Sequence, residues 1–185
     1  MNFYNEMYDA AGGVRPHYQG YADWLKATPM ERIERKRAEA DLAFHRVGIT
    51  FAVYGEEAGK ERLIPFDIIP RVIPSAEWKA LQAGLRQRVK ALNMFLWDVY
   101  HDQEILKAGI IPAEQVLNNA QYRPIMQGVD VPGRIYAHIT GVDIVRAGEG
   151  EYYVLEDNLR VPSGVSYMLE DRKMMMRRFP ELFAK

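Results

Sequence analysis

Gly141-Val142-Asp143-Ile144-Val145-Arg146-Ala147-Gly148-Glu149-Gly150-Glu151-Tyr152-Tyr153-Val154-Leu155-Glu156-Asp157-Asn158-Leu159-Arg160-Val161-Pro162-Ser163-Gly164 reads as a β-hairpin that ends in charge. Arg134 to Val145 predicts a strand, Ala147 to Gly150 a turn, and Tyr152 to Asn158 the return strand. Side chains alternate along a strand, so Glu156 and Asn158 share a face. A turn around Gly148 to Glu151 sets Asp143 opposite Glu156. Opposed β-carbons lie about 5 Å apart. The other face, Val142, Ile144, Tyr153 and Leu155, is the expected core face. A slip of one residue would bury both carboxylates, which supports this register.

Two carboxylates this close repel unless a cation sits between them. Carboxylate and carboxamide oxygens suit Mg²⁺, which completes its octahedron with phosphate and water. Asp143, Glu156 and Asn158 are therefore the candidate metal ligands. Arg160 stays on their side if the strand continues, and its guanidinium suits a phosphate or carboxylate. Ser163-Gly164 leads into the last helix, where free N–H groups accept an anion. The plainer reading is that strand-end carboxylates simply meet solvent or cap the next helix. Paired carboxylates also serve glycoside hydrolysis, but a cross-strand pair this close, with an amide beside it, fits chelation better.

Outward from the hairpin, the chain is an α/β (α+β) sequence. Residues 1–19 read as an irregular arm. Thr28-Pro29-Met30-Glu31 predicts a helix start with Thr28 as cap, and Gly48 its stop. The charges Arg32 to Arg37 and Glu39 read as its solvated face. Ile49 to Tyr54 is β-branched and aromatic, hence a strand, with Gly55 to Lys60 as a turn and Arg62 to Phe66 pairing back. Ser75 caps the longest helix, about 76–101, whose stripe from Trp78 to Val99 is core. A short helix opens at Ile111-Pro112. Val129 to Gly133 marks a boundary, giving domains at 20–130 and 131–185. Ser166 to Arg178 forms the last helix, with Met168 and Met174 to Met176 as core filler.

Composition narrows the function. A net charge of -1 supplies no field for nucleic acid or anionic lipid. The absence of cysteine removes disulfides and thiolate metal sites and favours a cytoplasmic protein. Met1 to Gly13 has no signal pattern, and no apolar run is long enough to span a membrane. There is no Walker loop, dinucleotide fingerprint or HExxH. His17, His45, His101 and His138 lack spacing partners, and Ser163 and Ser166 lack a base.

The segment Val154 to Arg172, VLEDNLRVPSGVSYMLEDR, resembles the circularly permuted ATP-grasp family, type 2. The resemblance extends through Gly141 to Arg146, Gly48 to Gly55, Pro65 to Arg71, Gly84 to Val89 and Arg15 to Tyr18. Some members carry the label glutathionylspermidine synthase, a looser similarity. The resemblance implies a pre-ATP-grasp-like α/β domain followed by the first hairpin and helix of the catalytic core. It implies ATP and Mg²⁺, with a carboxylate phosphorylated to an acyl phosphate and then attacked by an amine. Asp143, Glu156 and Asn158 match its Mg²⁺ positions, and Arg160 a position near the transferred phosphate. Ser163 and Gly164 match substrate or phosphate contacts, while Arg15 and His17 receive no role. Members run well beyond Lys185, so the chain is expected to be the N-terminal portion of a ligase, incomplete alone, its end at 166–183 open to association. The alternative expectation is a non-catalytic binding or assembly module, or an inactive split half.

Overall fold

The computed structural model describes residues 4–48, 50–52, 61–63 and 66–183. In chain order the elements are α1 (Gln19–Ala27), α2 (Met30–Val47), β1 (Thr50–Ala52), β2 (Glu61–Leu63), α3 (Ser75–Tyr100), α4 (Glu104–Lys107), α5 (Ala113–Leu117), β3 (Gly141–Gly148), β4 (Glu151–Asn158) and α6 (Val165–Arg178). Helices with small antiparallel sheets match the α+β expectation. The chain forms two compact units, Met1–Pro74 with Ser163–Lys185, and Ser75–Pro162.

The first unit is built on α1, α2 and α6. One buried cluster joins Ala40 and Phe44 to Met174, and a second joins Ile68 to Met175 and Phe179. Phe66 packs against both. Met174 and Met175 are core as predicted, whereas Met168 and Met176 are exposed. Helix α1 was not foreseen. It removes Thr28 from the predicted capping box: Thr28 ends α1, and its hydroxyl donates to the Trp24 carbonyl at 2.6 Å. Pro29 takes the cap position of α2 with its side chain unable to bond, and the helix ends at Gly48 as expected, in the left-handed region at φ 71°. The charged face of α2 is not wholly solvated. Lys36 donates to the Arg178 carbonyl, pairs with Glu181 at 3.2 Å and lies 4.8 Å above the Phe179 ring. Strands β1 and β2 pair antiparallel with Phe51 opposite Arg62. The predicted turn from Gly55 to Lys60, and Ile49, Val53, Tyr54, Ile64 and Pro65 of the predicted strands, lie outside the described residues.

The second unit is organised by α3. Along its predicted core stripe Val99 is buried and Leu81, Leu85, Val89, Leu92, Phe95 and Leu96 are half-buried, while Trp78 at the start is exposed. Asp98 closes the end of the helix onto the next one, its two carboxylate oxygens accepting from the N–H groups of Glu104 and Ile105 at 2.9 and 3.0 Å. Asn93 Oδ1 accepts from the N–H groups of Tyr136 and Ala137 at 2.8 and 3.0 Å. That contact helps hold 135–140 as an irregular passage, so the strand predicted from Arg134 begins only at Gly141.

The β3–β4 hairpin lies along α3. Near its turn, Glu77 accepts from Arg146 at 2.7 Å and from the Tyr152 hydroxyl at 2.9 Å. Near its open end, Arg88 grips Asp157. Eleven residues of helix and five of strand each span roughly 16 Å, so both anchors fit at once.

Candidate functional site

The open end of the hairpin assembles three of the predicted residues. Asp143 pairs with Glu156, and Gly141 with Asn158. The Asn158 Nδ2 donates to Asp143 Oδ2 and to Glu156 Oε1, each at 3.1 Å. One point therefore lies within hydrogen-bond reach of both carboxylates. Both acids are exposed, and the amide is half-buried.

The face behind this cluster differs from the predicted one. Register at the two hairpin ends, Gly148 opposite Glu151 and Asp143 opposite Glu156, is that of an uninterrupted hairpin. Between them Ile144 pairs with Val154 and Arg146 with Tyr152. Ala147 and Leu155 are each the extra residue of a bulge, and the second bulge undoes the first. Tyr152 and Val154 thus replace Tyr153 and Leu155 beside Ile144. Tyr153 is 55% exposed and Leu155 68%.

Asp157 sits on the opposite side of β4 from the cluster. Arg88 Nε donates to its Oδ1 at 2.8 Å and Nη2 to its Oδ2 at 2.6 Å. This charged fork holds the Asp157 carboxyl below the usual carboxylate range, against the opposing effect of burial. Arg88 and Asp157 were not singled out from the sequence. The alternation that placed Glu156 and Asn158 together does put Asp157 on the helix-facing side, but nothing local names its partner 69 residues away.

Arg160 lies past the strand end, and its Nη1 donates to Gln121 Oε1 at 2.6 Å. Val161, which follows, has φ 45°, a conformation costly for a β-branched residue and more so before a proline. Ser163 and Gly164 belong to the first unit. Gly164 starts α6 with φ 98°, and its carbonyl accepts from Met168 N–H at 2.9 Å.

Two opposed carboxylates and an amide form a hard-oxygen donor set. Turning the Asn158 amide over would present its oxygen where its nitrogen now stands. Among the described residues no group of three or more His, Cys, Asp or Glu side chains gathers as a metal site, so a cation at this end would depend on the amide and on ligands from elsewhere. Among the described residues no helix is long and apolar enough to cross a membrane.

A family model described as a circularly permuted ATPgrasp matches residues 70–185. The chain belongs to the circularly permuted ATP-grasp family. The match is to the family, not to a type within it. An uncharacterized protein of Synechocystis sp. is 45% identical over 98% of the chain and 38% of its own length. An uncharacterized protein of Mycobacterium leprae is 44% identical over 98% of the chain and 32% of its own length. A protein of Frankia alni, provisionally named glutamate–cysteine ligase 2-3, is 40% identical over 97% of the chain and 20% of its own length. The chain thus spans about a third of the Synechocystis and Mycobacterium relatives.

Proposed function

We propose that the protein is an ATP- and Mg²⁺-dependent carboxylate–amine ligase, and that this chain supplies the carboxylate wall of its cation site. The observation that carries the reading is the meeting of Asp143, Glu156 and Asn158 at one hairpin end in an ATP-grasp chain. The name of the Frankia relative supports the ligase part.

In the proposed reaction a substrate carboxylate oxygen attacks the γ-phosphorus of ATP and ADP leaves. An amine then attacks the acyl carbon, phosphate departs with the bonding pair, and the amine gives up a proton. Mg²⁺, when bound, would offset charge on the β- and γ-phosphates. Asp143 and Glu156 would hold it from neighbouring strands, and Asn158 would turn its oxygen inward as a neutral third ligand. Asp157 lies on the other side of β4, held by Arg88, so among the hairpin's carboxylates Asp143 and Glu156 would face the cation, which leaves room for phosphate oxygens in its shell. Arg160 would exchange Gln121 for the transferred phosphoryl group, which its planar fork fits better. The Ser163 hydroxyl and the Gly164 N–H would contact phosphate or substrate at the start of α6.

The test uses the full-length protein. ADP release is measured across candidate acids and amines, and Mg·ATP binding by calorimetry, for wild type and Glu156→Ala. The variant should lose about a hundredfold in kcat, or roughly 2.7 kcal/mol of transition-state stabilisation. Equal binding and turnover in both proteins would sink the metal assignment. Failure of every acid–amine pair, with Mg·ATP still bound, would sink the reaction and spare the metal site.

A further inference from the structure

The bulge at Leu155 leaves the open end of the hairpin one step from a different arrangement. In the middle of the hairpin Arg146, Val145 and Ile144 pair with Tyr152, Tyr153 and Val154. If that register continued, Asp143 would face Leu155, and Val142 would face Glu156. Side chains alternate along a strand, so the end of β4 would change sides. Glu156 and Asn158 would turn toward α3, Asp157 would turn outward, and the cluster with Asp143 would not form. Instead Leu155 is the extra residue, 68% exposed, and the strand resumes with Asp143 opposite Glu156 and Val142 opposite Asp157.

The contacts on the α3 side distinguish these two arrangements. Glu77 does not, because it binds Arg146 and Tyr152, which pair in the middle register. Arg88 does. It holds Asp157 in a two-point fork, Nε to Oδ1 at 2.8 Å and Nη2 to Oδ2 at 2.6 Å. The Asp157 side chain is only 13% exposed, so its charge needs that partner. The continued register would put Glu156 in the place beside Val142 that Asp157 now holds. Two consecutive acids therefore compete for one guanidinium, and the one that Arg88 takes fixes the side of the other. With Asp157 taken, Glu156 stays on the outer face, where the Asn158 amide joins it to Asp143.

We propose that Arg88 and Asp157 are positioning residues for the candidate cation site: their ion pair selects the register in which Asp143, Glu156 and Asn158 meet. The consequence for cation binding rests on the ligase reading above, whereas the choice of register does not. Asp157→Asn leaves Glu156 the stronger claimant on Arg88 and draws it inward. Arg88→Gln leaves either acid without a cation on the inner side, so charge no longer favours the observed register. The double variant sets two neutral amides against each other there and keeps the remaining acid, Glu156, outside. Each single variant thus loses the cluster and the double variant regains it. A pair acting only through its own ion pair would leave the double variant no better than either single one.

The experiment reads register by NMR of the 185-residue chain and cation binding by calorimetry of the full-length protein with Mn·ATP. In wild type, cross-strand NOEs should join residue 143 to residue 156. In each single variant they should weaken in favour of NOEs joining residue 143 to residue 155, and return in the double variant. Mn·ATP affinity should fall by roughly tenfold or more in each single variant, and recover to within about threefold of wild type in the double variant. Wild-type NOEs with wild-type affinity in either single variant overturn the assignment, as does a double variant no better than the single ones. If one single variant does not fold, the other and the double variant decide. Failure of the wild type to bind Mn·ATP sinks the cation reading, and the NOEs alone then decide whether Arg88 and Asp157 set the register.

Discussion

Glu156, Asp157 and Asn158 are consecutive, yet they work on opposite sides of one strand. The outer two face the Asp143 carboxylate across the hairpin, and the middle one anchors the strand to α3 through Arg88. The pKa of Asp157 is depressed in the folded chain, so its ionised form is favoured by folding. The stability it contributes is fully present above the unfolded carboxylate pKa, about 3.9, and is lost as pH falls through the lower folded value. Asp157→Asn should therefore lower the thermal midpoint by a constant amount between pH 5 and pH 7. Its midpoint should converge on that of wild type below about pH 4. A gap that does not narrow as pH falls below about 4 would show that the side chain acts through packing rather than charge. Asp143, Glu156 and Asn158 were legible because strand alternation is local. Arg88 was not, because a pair 69 residues apart leaves no trace in spacing.

At the level of the element, the hairpin shows how a local rule holds at both ends and fails between them. Turn chemistry at Glu149-Gly150 and the polar cluster at the open end each select the same register. Two compensating bulges let the middle slip by one and return. They bring Arg146 and Tyr152 to Glu77, an anchor that alternation from either end would not have found. The capping box at Thr28 failed for a related reason. A second helix competes for the same threonine, and its carbonyl acceptor wins. The open end also depends on a missing side chain. A β-carbon at Gly141 would lie 2.9 Å from Pro162 Cβ and 3.5 Å from Asn158 Cβ. The proline ring cannot swing aside. Gly141→Ala should thus cost roughly 1–3 kcal/mol by denaturant titration. It should also displace Asn158, visible as a shifted side-chain amide resonance. Val161→Gly is the opposite case: it relieves a strained left-handed valine and should raise the unfolding free energy by about 1 kcal/mol. An unchanged denaturant midpoint would show that the loop stores no strain there.

At the scale of the whole molecule, the chain leaves its first unit at Pro74 and returns to it at Ser163. Reading in order along the sequence suggests successive blocks, because composition and turn signals are local. Contact is not. Met174, Met175 and Phe179 complete clusters begun by Ala40, Phe44 and Ile68, more than a hundred residues earlier. Phe179 is fully buried, edge-on to Trp24 at 5.7 Å and beneath Lys36. The methionine-rich helix was legible as core filler, but what it fills was not, since an apolar stripe specifies a face and not a partner. Two consequences follow from this return. Phe179→Ala removes a closed aromatic contact and leaves a cavity, and should cost about 3–5 kcal/mol. Deleting 163–185 removes three core side chains together, so α2 should lose its amide-exchange protection even though its own sequence is intact. The internal comparison is α3, whose anchors at Glu77, Arg88 and Asn93 are all met from within the second unit and should keep their protection. Full protection of α2 in the deleted chain would mean that the first 74 residues hold a core of their own, and α6 would then be an addition to the first unit rather than part of its foundation.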